Sequence, residues 1–383
     1  MPRSSLGLRI PEGMHDILPD ELALQDQAEA SVLQLFKTWA YQKVVTPTLE
    51  YGACIQPVEE EGDAFFKLFD RQGHVLVLRP ELTTPIARMV STRMRGIPFP
   101  LRLCYAADVF RYSKSHKQEF RQVGVELIGS ASPAADAEVV ALAIEALRKI
   151  GGMGFQINLG HMGIFTGIMA ELGVPQEFKL SYQEKLARKD FVGIERLVKD
   201  YGFEFRVQEI LLKLPHLHGK EDMLDQVLEW SQQPSLLKAV DALRQVYQYL
   251  KDFGVQDYVS LDLGILRGFS YYTGAVFEGY VPGVGFPVVE GGRYDSLYGE
   301  FGEDAPATGF AINLKAIVEQ MTCSNAEIPE VFVYGSDVSK VIAEARKLRQ
   351  TGKQVEMCLE SLTQEQALES AGRKGIKEVV WAR

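Results

Sequence analysis

The chain has 383 residues, of which 46% are apolar and 10% aromatic, enough for a large buried core and for two or three domains. Its 41 Lys and Arg against 51 Asp and Glu give a formal net charge of −10, so it lacks the general basicity that favours polyanions, although a local basic face is compatible with an acidic total. No run reaches the roughly 18 apolar residues of a membrane span.

The N-terminus, Met1-Pro-Arg-Ser-Ser-Leu-Gly-Leu-Arg9, has no apolar signal core, which predicts a cytoplasmic protein. Residues 11–19 read as a loop punctuated by Pro11 and Pro19. A helix is expected over roughly 20–41, because Leu22, Leu24, Ala28, Val32, Leu35 and Phe36 approximate one helical face. Lys43–Glu50 reads as a strand leading to a helix or loop. Phe65–Asp70 and His74–Arg79 read as a hairpin turning at 71–73. Pro80–Met94 reads as a helix with Glu81, Thr83 and Thr84 in its first turn. Leu101–Arg111 and Glu119–Gly129 read as partner strands joined by the polar stretch 112–118.

An Ala-rich helix is expected over 134–150 and a strand over 155–160. Residues 164–256 are rich in Leu, Lys, Glu and Gln at helical spacing, which predicts a helical insert of several short helices. Three strands are expected at 259–263, 272–279 and 285–290, followed by a helix around 309–321. The pattern breaks at Cys323–Pro329, as at a linker. That divides a body over 1–323 from a small C-terminal α/β domain over 324–383. In the tail, strands at 331–334, 354–358 and 378–381 alternate with helices at 337–350 and 362–372, which implies a small parallel sheet. Cys54, Cys104, Cys323 and Cys358 are scattered without a Cys-x-x-Cys pair. They fit reduced core thiols and predict neither a zinc site nor a disulfide frame. No cofactor is predicted.

Six segments recur in a meaningful order: Pro11-Glu-Gly-x-x-Asp16, Leu78-Arg-Pro-Glu81-Leu-Thr83, Phe110-Arg111, Glu119-Phe-x-Gln122-x-Gly-x-Glu126, Arg267-Gly-x-x-Tyr271-Tyr272 and Glu290-Gly-Gly-Arg-Tyr-Asp. Together they resemble the class II histidyl-tRNA synthetases over roughly residues 8–320. The resemblance implies an α+β fold, an antiparallel sheet flanked by helices. It also implies a histidine pocket built from Glu81, Thr83, Arg111, Gln122, Glu126, Arg267, Tyr271 and Tyr272. The chemistry suits the ligand. Glu81 offers an anion to the ammonium group, and Arg111 or Arg267 a cation to the carboxylate. Glu126 and the phenols of Tyr271 and Tyr272 suit the imidazole, and Gln122 an orienting hydrogen bond. Taken singly, Glu81 also reads as a first-turn helix carboxylate and the two tyrosines as sheet aromatics; the ordered set carries the resemblance.

The departures matter as much. The synthetase pattern Gly-Phe-x-x-Gly-Leu-Glu-Arg ends in an arginine that clamps the ATP phosphates. Here the run is Gly309-Phe-Ala-Ile-Asn-Leu-Lys315-Ala316. Ser113 stands where motif 2 has a glutamate, and the following loop, with Lys114, His116 and Lys117, lacks its arginines. Ser270 stands where the histidine signature usually has Asp. Adenylation needs fixed positive charge on the phosphates, so aminoacylation is not expected, nor is tRNA binding. The tail resembles at most a truncated anticodon-reading domain. This combination resembles the synthetase-like regulatory subunits of ATP phosphoribosyltransferase. It implies a non-catalytic chain that partners a short catalytic subunit in the first step of histidine biosynthesis and is linked to feedback by histidine. It also implies dimerisation, with residues 20–50 as the candidate interface. An active histidyl-tRNA synthetase, or another synthetase-like histidine-binding protein, is the alternative reading.

Overall fold

In the computed structural model, which describes residues 8–55, 65–112, 118–151, 154–265, 272–321 and 328–383, the two apolar runs at 101–110 and 119–128 form the longest pairing of a nine-stranded sheet. The chain first runs through α1 (Pro19–Thr38), β1 (Gln42–Lys43), β2 (Leu49–Tyr51), α2 (Gly52–Ile55), β3 (Lys67–Phe69), β4 (Val75–Leu78), α3 (Thr83–Arg93), β5 (Leu101–Phe110), β6 (Glu119–Ile128), α4 (Pro133–Ile150) and β7 (Gln156–His161). Next come α5 (Met162–Glu171), α6 (Gln176–Ala187), α7 (Phe191–Tyr201), α8 (Phe205–Lys213), the short β8 (His218–Gly219), α9 (Met223–Trp230) and α10 (Pro234–Asp252). It returns to the sheet through β9 (Val259–Asp262), β10 (Ala275–Tyr280), β11 (Val289–Arg293) and β12 (Ala307–Asn313), and closes with α11 (Leu314–Val318). Two compact units result, Met1–Asp16 with Gln25–Met321 and Ile17–Leu24 with Thr322–Arg383.

The strand order is β1-β5-β6-β12-β11-β10-β7-β9-β8. The pairs are antiparallel except β1 with β5 and β7 with β9. This is the α+β, mainly antiparallel sheet flanked by helices that the sequence implies. One face is packed by α4, whose alanines let it lie close to β6, β11 and β12. Ser132 caps its start, the hydroxyl accepting from the Ala134 amide at 3.2 Å. Gly151 ends it at a left-handed φ of 89°. Phe310 lies edge-on to Phe36 of α1 and to Phe277 of β10, at centroid distances of 5.9 and 6.4 Å. Because side chains alternate along β12, Gly309 and Ala311 turn to the opposite face. No helix among the described residues is long and apolar enough to cross a membrane.

Three expectations change. The helix expected around 309–321 is mostly strand: β12 occupies 307–313 and α11 only Leu314–Val318. Ala-Thr-Gly-Phe-Ala-Ile-Asn is a short apolar run buried between two strands, and its periodicity alone does not separate strand from helix. The strand expected over 43–50 is split, with β1 at an edge of the large sheet and β2 in a separate antiparallel sheet ordered β2-β4-β3. Pro47 lies between them and has no amide to donate to a ladder. Helix α1 ends at Thr38, and Ala40 takes a positive φ of 64°. The second unit has the expected alternation: β13 (Val331–Tyr334), α12 (Val338–Gln350), β14 (Val355–Met357), α13 (Gln364–Arg373) and β15 (Glu378–Trp381). Its parallel sheet is ordered β14-β13-β15, with the buried β13 at the centre.

One buried ion pair ties the sheet to α4. Arg293, at the end of β11, sets its Nε 3.0 Å and its Nη2 2.9 Å from the Asp136 carboxylate. Its Nη1 donates to the Ser130 carbonyl at 2.9 Å. Arg293→Met leaves a buried carboxylate unpaired and should lower stability by about 3–5 kcal/mol, whereas adding Asp136→Leu should recover most of that loss. Urea denaturation of the single and double variants checks both values.

Candidate functional site

The register of β6 against β12 builds the pocket floor. Glu126 pairs with Gly309, Gly124 with Ala311 and Gln122 with Asn313. The Glu126 side chain lies flat over Gly309, where a Cβ would stand 2.0 Å from its Oε2. On the next strand Gly292, paired with Gly309, leaves the same kind of room for the Tyr272 ring, which a Cβ there would meet at 2.9 Å. Glycine is required at both positions by this close approach.

Glu126 is 1% exposed. Its Oε1 accepts from the Thr83 hydroxyl at 2.8 Å and its Oε2 from the Tyr294 hydroxyl. Burial pushes its pKa up to about 8, the two hydroxyl bonds oppose that shift, and nearby Glu81 adds to it. Glu81 is also buried, and both its oxygens accept from the Thr84 amide at 3.1 Å. The carboxylate therefore does serve the first turn of α3, as the structural reading has it, while also lining the pocket. Burial raises its pKa as well, against the Thr84 bonds and the Arg111 charge. Arg111 donates from Nε to the Pro80 carbonyl at 2.8 Å, and its guanidinium lies 5.7 Å from the centre of the Phe120 ring. Gln122 is 4% exposed, and its Oε1 is buried without a hydrogen-bond partner.

Glu81, Thr83, Arg111, Gln122 and Tyr272 line one cavity of about 30 Å³. Glu126 lies against it through Thr83 and Tyr294, which both line it. Six of the eight residues expected from the sequence are thus brought together. Arg267 and Tyr271 lie outside the described residues, as do Ser113, Lys114, His116, Lys117 and Ser270. Sequence reasoning missed Tyr105, Glu290 and Tyr294 as lining residues. The last two had a signal, since both sit in the Glu290-Gly-Gly-Arg-Tyr294 run, and Tyr294 reaches Glu126 by following two glycines. Tyr105 had none beyond strand alternation.

The positions of the phosphate clamp look different. Asn313 caps α11, its Oδ1 accepting from the Ala316 amide at 3.2 Å. Lys315 is 3% exposed, its Nζ stands 3.2 Å from His15 Nδ1, and burial lowers its pKa. The Ala316 side chain is buried and carries no charge.

The sheet and its pocket define a class II aminoacyl-tRNA synthetase-like protein. The histidyl-tRNA synthetase family pattern matches residues 13–317. The crystal structure of histidyl-tRNA synthetase from Nostoc sp. PCC 7120 shares the fold at a TM-score of 0.82, with 21% identity, over 97% of this chain and 90% of that one. Within that class the chain belongs to the ATP phosphoribosyltransferase regulatory subunit family. It is 91% identical over 383 residues, the whole of both chains, to the ATP phosphoribosyltransferase regulatory subunit of Desulfitobacterium hafniense strain Y51. It is 40% identical to that of Moorella thermoacetica, over 97% of this chain and 98% of the relative. A crystal structure described as an ATP phosphoribosyltransferase regulatory subunit/histidyl-tRNA synthetase from Bacillus halodurans matches at a TM-score of 0.88 and 32% identity, covering 98% of each chain. Its relatives thus place it among regulatory and not catalytic subunits.

Glu126 gives the pocket a signature in pH. Its folded pKa of about 8 lies above the ordinary 4.5, so its favourable contribution is complete below the ordinary value and is lost as pH rises through about 8. Glu126→Gln keeps the shape without the charge. The melting temperature of the variant should therefore rise relative to the parent between pH 5 and pH 9, as thermal melts at both values will show.

Proposed function

We propose that this chain is required by a short-form catalytic subunit of ATP phosphoribosyltransferase for the first step of histidine biosynthesis, and that it holds histidine as a feedback effector in the Glu81–Glu126 pocket. The observation that carries the histidine assignment is the buried Gln122 Oε1, which has no partner in the protein and borders the cavity. A buried acceptor left unmet costs about 1–3 kcal/mol, and a ligand N–H removes that cost. Around it stand the groups a zwitterion requires: Glu81 for the ammonium, Arg111 for the carboxylate and Glu126 for the imidazole. The cavity of about 30 Å³ has room for a water or two, so the half-buried Tyr272 and Arg111 swing outward when histidine enters.

The names of the relatives support the assembly with a catalytic chain. Self-association as a dimer through residues 20–50, which span most of α1 together with β1 and part of β2, belongs to the same reading. A cytoplasmic location also belongs to it. Lys315 and Ala316 favour regulation over adenylation, because neither places a fixed cation where an arginine would hold ATP phosphates. Coupling is reciprocal: histidine weakens the active state of the complex by the same factor by which ligands of that state weaken histidine binding.

Phosphoribosyl transfer by the short catalytic subunit, measured with and without this chain across a histidine titration, tests the proposal. Activity is expected only in the mixture, falling as histidine rises. A mixture no more active than the catalytic subunit alone sinks it, and ATP–pyrophosphate exchange with histidine would then point to an active synthetase. Gln122→Met keeps the volume and removes the acceptor. Titration calorimetry should show histidine binding to it about tenfold more weakly, a loss of about 1.4 kcal/mol.

A further inference from the structure

The turn that closes α6 holds an unusual residue. The C-cap of α6 is Arg188. Beyond it the Lys189 amide donates to the Leu186 carbonyl at 3.0 Å and the Asp190 amide to the Lys185 carbonyl at 2.8 Å. That pair of bonds requires a left-handed residue just past the cap, and Lys189 takes the conformation at a φ of 54°. After α4, α5, α7, α10, α12 and α13 the left-handed residue is a glycine, which adopts it without a Cβ penalty. Among the described residues Ala40 and Lys189 are the cases that are not glycine. A long side chain kept at such a position, at a cost in stability, points to a task for that side chain.

The side chain reaches the sheet. Lys189 Nζ donates to the Tyr280 hydroxyl at 3.0 Å and lies 4.9 Å from the centre of the Tyr280 ring. The Tyr280 hydroxyl donates in turn to Glu278 Oε2 at 2.5 Å. Val276, Glu278 and Tyr280 share one face of β10, and the register carries that face to the pocket. Val276 pairs with Gly292, Gly292 with Gly309, and Glu278 with Glu290. Glu290 lines the pocket, and Glu278 is 7% exposed. Two acidic side chains directly opposite each other on neighbouring strands repel. A hydroxyl donor on one of them, backed by an ammonium, reduces that repulsion. The same charge acts two strands further on, at Asp262. Burial raises the Asp262 pKa, and the Lys189 charge is among the groups that oppose the rise. The insert otherwise lies behind the sheet, where α10 packs on α4. At Lys189 it comes round to the pocket face.

We infer that Lys189 is a positioning residue for the pocket: through Tyr280 and Glu278 it steadies Glu290 in the pocket wall, and so couples the ligand to the α6–α7 turn of the helical insert. Binding in the pocket tightens the turn, and a loosened turn weakens binding by the same factor. The identity of the ligand rests on the histidine reading above, whereas the tie between turn and sheet does not.

Three variants of the full chain test it. Lys189→Gly removes the side chain and relieves the backbone, Lys189→Arg keeps the charge and the reach, and Tyr280→Phe keeps the ring without the relaying hydroxyl. Titration calorimetry reads histidine affinity, mass spectrometry reads amide hydrogen exchange over residues 185–193, and thermal melting confirms folding. Lys189→Gly and Tyr280→Phe should each raise the histidine Kd about fivefold, while Lys189→Arg stays close to the parent. The turn keeps its sequence in Tyr280→Phe, and there it should exchange severalfold faster; in the parent, histidine should slow it. Parental affinity in both Lys189→Gly and Tyr280→Phe overturns the inference. So does a loss in Lys189→Arg as large as that in Lys189→Gly, because any change in the turn would then suffice. If the parent binds no histidine, the pocket reading fails, and exchange in Tyr280→Phe decides the tie alone: a faster turn supports it and a parental turn overturns it.

Discussion

The structure is organised around a carboxylate that has almost no access to water. Glu126 sits in the middle of the nine-stranded sheet at 1% exposure, where a charged oxygen is costly unless donors meet it. The donors come from two distant segments: Thr83 at the start of α3 and Tyr294 just after β11. Each arrives only if the surrounding frame is correct. Arg79 holds the approach to α3, with its Nε on the Asp108 carbonyl at 2.8 Å and its Nη1 on the Thr46 carbonyl at 2.7 Å. Arg293 fixes the end of β11 on α4 through Asp136. Gly309 leaves the space in which the carboxylate lies. The satisfaction of one buried acid thus specifies the mutual placement of two sheets, two helices and a glycine.

Much of this was legible from residues alone, for identifiable reasons. Strands β5 and β6 are long, apolar and separated by a polar stretch, and they pair as read, with Leu101 opposite Ile128. The tail alternates strand and helix so regularly that all five of its elements were readable. The candidate pocket was legible because its residue types are chemically marked: Glu, Gln, Arg and Tyr at fixed spacing within otherwise apolar strands. What escaped is equally instructive. β12 read as a helix because a seven-residue strand with five buried positions carries no periodicity that excludes one. The double duty of Glu81, capping α3 while facing the cavity, is a matter of orientation that spacing does not encode. Tyr294 was visible as part of a glycine-rich run, but its bond to Glu126 joins residues 168 positions apart, and only the register of three strands, β6, β12 and β11, brings them together.

The fold alone would not separate an enzyme from a regulator, since one scaffold serves many tasks. The distinction lies in what fills corresponding places. The end of the site built by α3, β6 and β11 has its carboxylates, amide and guanidinium lining one cavity. The end where the synthetase pattern places a glutamate and an arginine has Lys315 packed beside His15, and the small, neutral Ala316. Here one region of a sheet gathers polar groups around a cavity, while the neighbouring positions lack the fixed charge that an arginine would supply.

The position of the pocket floor also sets where the molecule can fluctuate. β6 and β12 are central strands, hydrogen-bonded on both sides, so separating them means opening the whole sheet, and their amides belong to the most cooperative part of the fold. Arg111 and Tyr272, by contrast, lie just beyond strand ends, past Phe110 in one case and ahead of Ala275 in the other. Local breathing at the mouth is cheap, whereas breathing at the floor is as rare as global unfolding. The site therefore combines a fixed floor with a soft entrance: side chains at the mouth can move without disturbing the strand register beneath them.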